Sequence, residues 1–207
     1  MDYLVYADLQ TGRDAAAEKV IADLKAMPNL NAGEFKIGYA STAMPVRYAV
    51  ERQQWADAAA IRPSSSAPPQ VAAIAIWAQG IGLARSGHSA DTAPQLDALR
   101  KIEEQLQNSG NLYWATQVRV MKREVAAWSA QDQNKIKDAV ALLREAADEE
   151  DSLEKLPVTP GPIVPAREQL GELLLQQDQA ELAAKELRVA LTNAPGRRGA
   201  LRGATAK

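Results

Sequence analysis

The chain has 207 residues, of which 46% are apolar, and its formal net charge is −2. This length is enough for one large domain or two small ones, and the near-neutral charge gives no overall attraction to nucleic acid or anionic membranes. The sequence contains no cysteine, which excludes disulfides and thiolate chemistry. Alanine, leucine, glutamine and glutamate are abundant and only one phenylalanine occurs, so the composition favours helices over sheets.

The first residues, MDYLVYADLQTGRD, do not resemble a signal peptide, because they hold acids at Asp2 and Asp8 and no basic region. The longest apolar stretch, residues 71–84, is too short to span a bilayer and is interrupted by Gln79. The sequence therefore predicts a soluble chain with no membrane contact and, by default, a cytoplasmic location. A signal peptide upstream in a longer native chain stays open.

Helical periodicity, caps and breakers predict a chain made of helices. Pro45 lies inside the third predicted helix and is expected to kink it or to mark its true start. A short end helix is expected after Pro195, and no segment shows the alternation typical of strands. The predicted helices cover about residues 2–10, 14–27, 34–53, 55–61, 71–85, 91–107, 113–130, 135–149, 166–177 and 180–192.

Two proline-rich stretches interrupt this helical pattern. RPSSSAPPQ, residues 62–70, is the clearest linker, because its serines and prolines cannot continue a helix and its composition favours mobility. PVTPGPIVP, residues 157–165, is the second break. We expect one domain over residues 1–207, which the first linker divides into helix pairs at 1–61 and at 71–207.

The predicted helices form antiparallel pairs joined by short turns, which indicates a repeat. A small residue stands early in the second helix of every pair, at spacings that vary with loop length. These positions are Ala17, Ala58, Thr92, Ala139 and Ala183.

The last pair resembles the tetratricopeptide repeat in its Leu170-Gly171, Ala183, Ala190 and Pro195. The first pair is similar, with Gly12 at the turn, Ala17 five residues later and Leu24 in place of the second alanine. The stretches YWATQVRVMKREVAAW and EEDSLEKLPVTPGPIVPAREQLGELLL also look like the C-terminal part of larger bacterial tetratricopeptide proteins of unassigned function.

This resemblance implies an all-α fold, a right-handed α-α superhelix of antiparallel helix pairs. Small residues at the helix crossings would let neighbouring backbones approach, and stacked pairs would share one core. In the resembled family the first helices line a concave groove that holds peptide ligands. By that register the groove residues are Tyr6, Gln10, Arg47, Glu51, Trp77, Arg119, Lys122, Arg123, Glu168, Glu172 and Gln176.

Arg119, Lys122 and Arg123 form a turn-spaced basic stripe on one predicted helix, and such a stripe would favour an acidic peptide. The alternative is that all the groove residues are ordinary solvated side chains, because most exposed charges contribute little.

The sequence offers few other candidates for chemistry, and each has a structural explanation. His88 is the one histidine and lies in the turn SGHSAD, and the glycines of GIGLARSG lack the strand and lysine of a phosphate-binding loop. The acidic run would be a solvated helix end, while the basic tail would touch phosphate, cap a helix or pair with that run. The run is Glu145, Asp148, Glu149, Glu150, Asp151 and Glu154, and the tail is Arg197, Arg198, Arg202 and Lys207.

The sequence therefore predicts a protein-interaction module that binds a protein or peptide, with no enzymatic activity, no cofactor, no metal and no nucleic-acid partner. The alternative is a structural, self-associating segment, in which an apolar edge at Tyr3, Leu4, Val5 and Leu9 docks on upstream repeats or on a second copy.

Overall fold

The structure, a computed structural model, describes residues 1–154 and 161–205, and across these ranges it contains helices and no strand. Lys207 of the basic tail and the first part of the predicted break at 157–165 lie outside the described residues. The α-helices are α1 (Asp2–Gln10), α2 (Asp14–Lys25), α3 (Phe35–Glu51), α4 (Trp55–Ala60), α5 (Pro69–Arg85), α6 (Ala93–Asn108), α7 (Leu112–Asp132), α8 (Ile136–Asp151), α9 (Ala166–Gln176), α10 (Ala180–Asn193) and α11 (Arg198–Ala204), with a 3-10 turn at Ser89–Asp91 before α6.

Two predicted helix starts that involve proline differ from the structure. The helix α3 begins at Phe35 and continues through Pro45, so the suggestion that the proline marks the start of the helix is wrong. The helix α5 begins at Pro69, inside the predicted linker. Proline suits the first turn of a helix, because its φ is already helical and the N–H it lacks would have no partner there.

The turn inside each helix pair has the same geometry. One residue adopts a positive φ, and the N–H of the next residue donates to the carbonyl oxygen five positions earlier, as from Arg13 to Asp8 at 2.7 Å and from Gln179 to Leu174 at 3.0 Å. This is the Schellman arrangement of a helix C-terminus. The positive-φ residues are Gly12, Gln53, Gly87, Asn134 and Asp178.

A small buried residue follows each of these turns. It stands five positions after the positive-φ residue in all five pairs, and its exposed fraction is never above 2%. The sequence prediction that these positions lie at helix contacts is therefore confirmed. They are Ala17, Ala58, Thr92, Ala139 and Ala183.

Glycine permits the closest helix contacts. A Cβ atom on Gly171 would lie 2.5 Å from Cγ of Leu187 in the paired helix α10, and one on Gly80 would lie 2.7 Å from Cγ1 of Val125 in α7. A Cβ atom on Gly82 would lie 2.4 Å from the backbone nitrogen of Ala59 in α4. The glycines of GIGLARSG that lie within α5 thus serve close helix packing.

The helix pairs pack in chain order. The first helices α1, α3 and α5 each contact the next first helix, and α2, α4, α6 and α8 each contact the helix that follows them. The first helix α7 reaches α9 through the hydrogen bond from Trp128 to Gln169. Residues on both sides of the loop at 62–68 share one hydrophobic cluster, which extends from Tyr39 in α3 to Ala183 in α10 and includes Trp77 and Trp128. The short helix α11 packs on α9 and α10.

Two segments outside the five helix pairs lie against these first helices. Ile163, in the loop before α9, is 3% exposed and belongs to the main core cluster. Arg198, at the start of α11, reaches back to the first pair, where its Nη1 lies 3.0 Å from Oδ1 of Asp14 and 3.3 Å from the carbonyl oxygen of Leu9. The C-terminal segment therefore connects the last helix pair to the first.

Candidate binding cavity and the buried arginine cluster

A cavity of about 510 Å³ lies between the first helices and the C-terminal segment. The helices α3, α5, α7, α9 and α11 all contribute to its lining, together with Trp55 at the start of α4. Its wall is apolar at Val50, Ile81 and Leu175, and charged groups surround this apolar wall. Half of its lining residues are charged or carry an amide side chain, so the cavity is more polar than a typical small-molecule site.

Arg85 is a charged residue of the cavity wall that neighbouring side chains fix in place. Its guanidinium carbon lies 3.8 Å from the ring centroid of Trp128 and 4.4 Å from that of Trp55, and its Nη2 lies 2.6 Å from Oε1 of Glu172. The side chain is 10% exposed. Two indole faces and one carboxylate therefore fix the guanidinium at the cavity wall.

Arg197 forms a second, more deeply buried cluster beside the cavity. Its guanidinium donates to both carboxylate oxygens of Glu168, at 2.8 and 3.0 Å, and to Oε1 of Glu51. It also lies 6.0 Å from the ring centroid of Tyr6 and 3.4 Å from the carbonyl oxygen of Ile163. Its side chain is 2% exposed, so both acids share a desolvated cation.

Burial and pairing act against each other in this cluster. Burial alone would lower the pKa of Arg197, but the charges of Glu51 and Glu168 raise it above its ordinary value. Burial raises the pKa of Glu168, and the neighbouring Arg197 only partly opposes this effect. Arg197 therefore stays charged, and its charge favours the ionised form of Glu168.

Arg47 lies next to this cluster and is completely buried. Its Nη1 donates to the carbonyl oxygen of Ile163 at 3.0 Å, its Nε lies 3.7 Å from Oδ1 of Asp2, and its guanidinium faces the ring of Tyr6 at 5.3 Å. The Asp2 contact is longer than a hydrogen bond, and burial raises the pKa of Asp2. Arg47 and Arg197 thus both hold the backbone of the loop before α9.

The structure brings part of the sequence-predicted groove together. Tyr6, Glu51 and Glu168 meet around Arg197, and Gln10 joins them by donating to Oε1 of Glu51 at 2.9 Å. Glu172 lies at the cavity, where it accepts from Arg85 at 2.6 Å and from the exposed Gln176 at 3.3 Å.

The remaining predicted groove residues do not line the cavity. Trp77 is 2% exposed within the core, and Arg47 is 0% exposed, so neither side chain offers a free surface. The basic stripe pairs with acids of α6 and α8, and none of its three residues lines the 510 Å³ cavity. Arg119 and Arg123 bind Glu149, and Lys122 binds Glu103.

The acidic run at the end of α8 is also paired within the chain. Arg167, in α9, contacts Asp148, Asp151 and Glu186, each at 2.6 Å. Glu145, Asp148, Asp151 and Glu154 are exposed, as the prediction of a solvated helix end requires. Glu149 differs, because it is partly buried and binds the basic stripe. The run therefore also joins α8 to its neighbours. His88 is exposed in its turn, as predicted.

A buried carboxyl group lies behind the cavity. Gln169 in α9 accepts from the indole N–H of Trp128 at 2.8 Å and donates to Oε1 of Glu124 in α7 at 2.6 Å. Burial, followed by the nearby charge of Glu150, raises the pKa of Glu124 well above its ordinary value. Burial thus favours the neutral form of Glu124, and this side chain supports the amide that orients the Trp128 wall.

Sequence reasoning missed Arg85 and did not predict that Arg197 is buried. The tail arginines were expected to cap a helix, touch phosphate or pair with the acidic run, whereas Arg197 pairs with Glu51 and Glu168. A signal was present, because both of those acids were assigned to the predicted groove. Comparison of the chain with family models, curated proteins and solved structures gives no match.

Proposed function

We propose that the chain is a protein-interaction module, built as a right-handed superhelix of tetratricopeptide-like helix pairs, and that its ligand is a peptide or protein segment. The 510 Å³ cavity that the first helices α1, α3, α5, α7 and α9 line together carries this proposal. The repeated turn and the small buried residue five positions after it support a common ancestry of the pairs. No helix within residues 1–154 and 161–205 is long and apolar enough to cross a membrane.

Binding rather than catalysis fits the chemistry of the cavity. Its carboxylates Glu51 and Glu168 pair with Arg197, and Glu172 pairs with Arg85. Groups held in this way fix the shape and charge of a wall. The basic stripe on α7 gives little support to an acidic ligand, because its charges are already neutralised by Glu103, Glu145 and Glu149.

A peptide library selected against the protein tests this proposal. Arg202, exposed at the mouth of the cavity, is changed to tryptophan to block entry, and Arg188, exposed on α10, receives the same change as a control. We expect selected peptides to bind the parent and Arg188→Trp equally and to lose at least tenfold in affinity for Arg202→Trp. Equal binding to all three proteins, or no selected peptide, would count against the cavity as the site.

A second candidate function is self-association through the N-terminal helix. Met1, Tyr3 and Leu4 are 44%, 56% and 55% exposed, whereas Val5 and Leu9 are buried, so only part of the predicted apolar edge is free. Exposed apolar side chains that lie together favour docking. Light scattering at high concentration tests this candidate: the mass should exceed that of a monomer, and Leu4→Lys should reduce it while Leu182→Lys on α10 does not.

A further inference from the structure

The C-terminal segment, residues 197–203, lies in the manner of a bound peptide on the surface formed by Gln10, Glu51 and Glu168, which we call the inner face. Its first residue, Arg197, meets two carboxylates, a tyrosine ring and a backbone carbonyl group. Its second residue, Arg198, meets Asp14, and its backbone N–H donates to Oε1 of Gln10 at 2.8 Å. These contacts recognise the guanidinium group, the backbone and the direction of the segment.

The segment also fits sterically at two glycines. A Cβ atom on Gly199 would lie 2.2 Å from Oε1 of Glu168, and one on Gly203 would lie 2.7 Å from Cδ1 of Leu187. Ala200 between them is completely buried against α10. The inner face therefore selects small residues at these positions in addition to the charge of Arg197.

The acids of this face are arranged for arginine rather than lysine. Arg197 binds both oxygens of Glu168 and one oxygen of Glu51, which uses the planar fork of the guanidinium. An ammonium group is a point charge and cannot make this set of contacts. Glu51 and Glu168 are each 9% exposed at the side chain, and burying a carboxylate is unfavourable unless a cation pairs with it.

Empty space lies on both sides of the segment. Arg198, Gly199, Arg202 and Gly203 line the 510 Å³ cavity, and Arg197 lines a second cavity of about 320 Å³. A segment with larger flanking residues could therefore follow the same path.

We propose that the inner face is a receptor for an arginine-containing segment of a partner protein. In the free protein, residues 197–203 occupy this site until such a segment displaces them. This inference rests on the proposed function and names the chemistry of its ligand. The sequence favoured an acidic peptide through the stripe on α7. The charge of the inner face favours a basic one.

The test uses the full chain with Arg197→Ala and Arg198→Ala together, and a labelled peptide of residues 194–204, APGRRGALRGA. Anisotropy should show saturable binding to this variant at least tenfold tighter than binding to the parent, whose own segment competes. A peptide with lysine in place of every arginine should bind at least tenfold more weakly, and Glu168→Gln in the variant should weaken binding to a similar extent. A helical variant that does not bind the peptide would overturn the proposal.

If the variant does not fold, hydrogen exchange of the parent protein tests whether the peptide displaces the C-terminal segment. Excess peptide should increase exchange in residues 197–203 by displacing them, and no change would overturn the proposal. A dimer of the parent that Arg197→Ala abolishes would assign the site to a second copy and so overturn the assignment to a partner protein. Library peptides that enter the cavity but contain no arginine would leave the proposed function in place and overturn this inference alone.

Discussion

Arg197 and Glu168 form a two-point ion pair, in which Nε donates to Oε2 at 2.8 Å and Nη2 donates to Oε1 at 3.0 Å. The side chains are 2% and 9% exposed. Glu51 binds the same guanidinium from α3, across 146 residues of sequence. One arginine of the C-terminal segment thus joins α3 to α9.

Replacing Arg197 by alanine should therefore be strongly destabilising. The variant leaves Glu51 and Glu168 buried without their cation, which we expect to lower the free energy of unfolding by about 3–5 kcal/mol. Arg197→Lys keeps the charge and loses the fork, so its loss should be smaller. Urea denaturation measures both. Arg188→Ala on the exposed face of α10 is the control. A similar loss in that variant would show that the buried cluster contributes no more to the free energy of unfolding than an exposed arginine does.

Gly171→Ala should also destabilise the fold. Alanine would gain about 1 kcal/mol of helix propensity, but its Cβ atom would overlap Leu187, whose Cγ lies 2.5 Å away. Overpacking of this kind costs about 1–3 kcal/mol, so a net loss is expected. Combining it with Leu187→Ala should remove the overlap, and the double variant should lose less than the sum of the single variants. Simple additivity in thermal or urea denaturation would contradict this contact.

The stability of the protein should carry a pH dependence from Glu124. Its pKa in the folded state is raised above the ordinary 4.5, because the side chain is buried. The folded state therefore binds the proton more tightly than the unfolded chain. This contribution is complete below pH 4.5 and is lost as the pH rises through the folded pKa.

Glu124→Gln removes this titration and keeps an oxygen that accepts from Gln169. Relative to the parent, the variant should gain up to about 1.4 kcal/mol in free energy of unfolding per pH unit within that window. Urea denaturation at several pH values measures the difference. The exposed Glu181→Gln on α10 is the control, and a pH-independent difference for Glu124→Gln would mean that the buried carboxyl does not titrate in this way.

Reversing the basic stripe should affect stability more than binding. Arg119→Glu with Arg123→Glu breaks the contacts with Glu149 and places like charges beside it. These side chains are 31% and 27% exposed, so we expect a loss of roughly 1 kcal/mol. Peptides that bind the cavity should keep their affinity. A large loss of peptide binding in a variant of near-parental stability would show that the stripe is part of the binding surface.

The helices and their close contacts could be predicted from the sequence because both depend on local spacing. Period, turns and proline positions indicate where helices begin and end, and small residues such as Ala17 and Ala183 mark helix crossings at a fixed distance from each turn. Gly171 belongs to the same group, since only a residue without a Cβ atom allows Leu187 to approach so closely. These features repeat along the chain and need no knowledge of distant parts.

The partners of the charged residues were decided only by the tertiary structure. The resemblance to the tetratricopeptide repeat implied that Glu51 and Glu168 line one groove, but the arginine between them comes from the C-terminal segment. The same resemblance implied that Arg119 and Arg123 line that groove, whereas α8 supplies Glu149 to neutralise them. Ion pairing depends on distances of a few ångströms between helices far apart in sequence. Those distances follow from the packing of all the helices together, which local spacing does not determine.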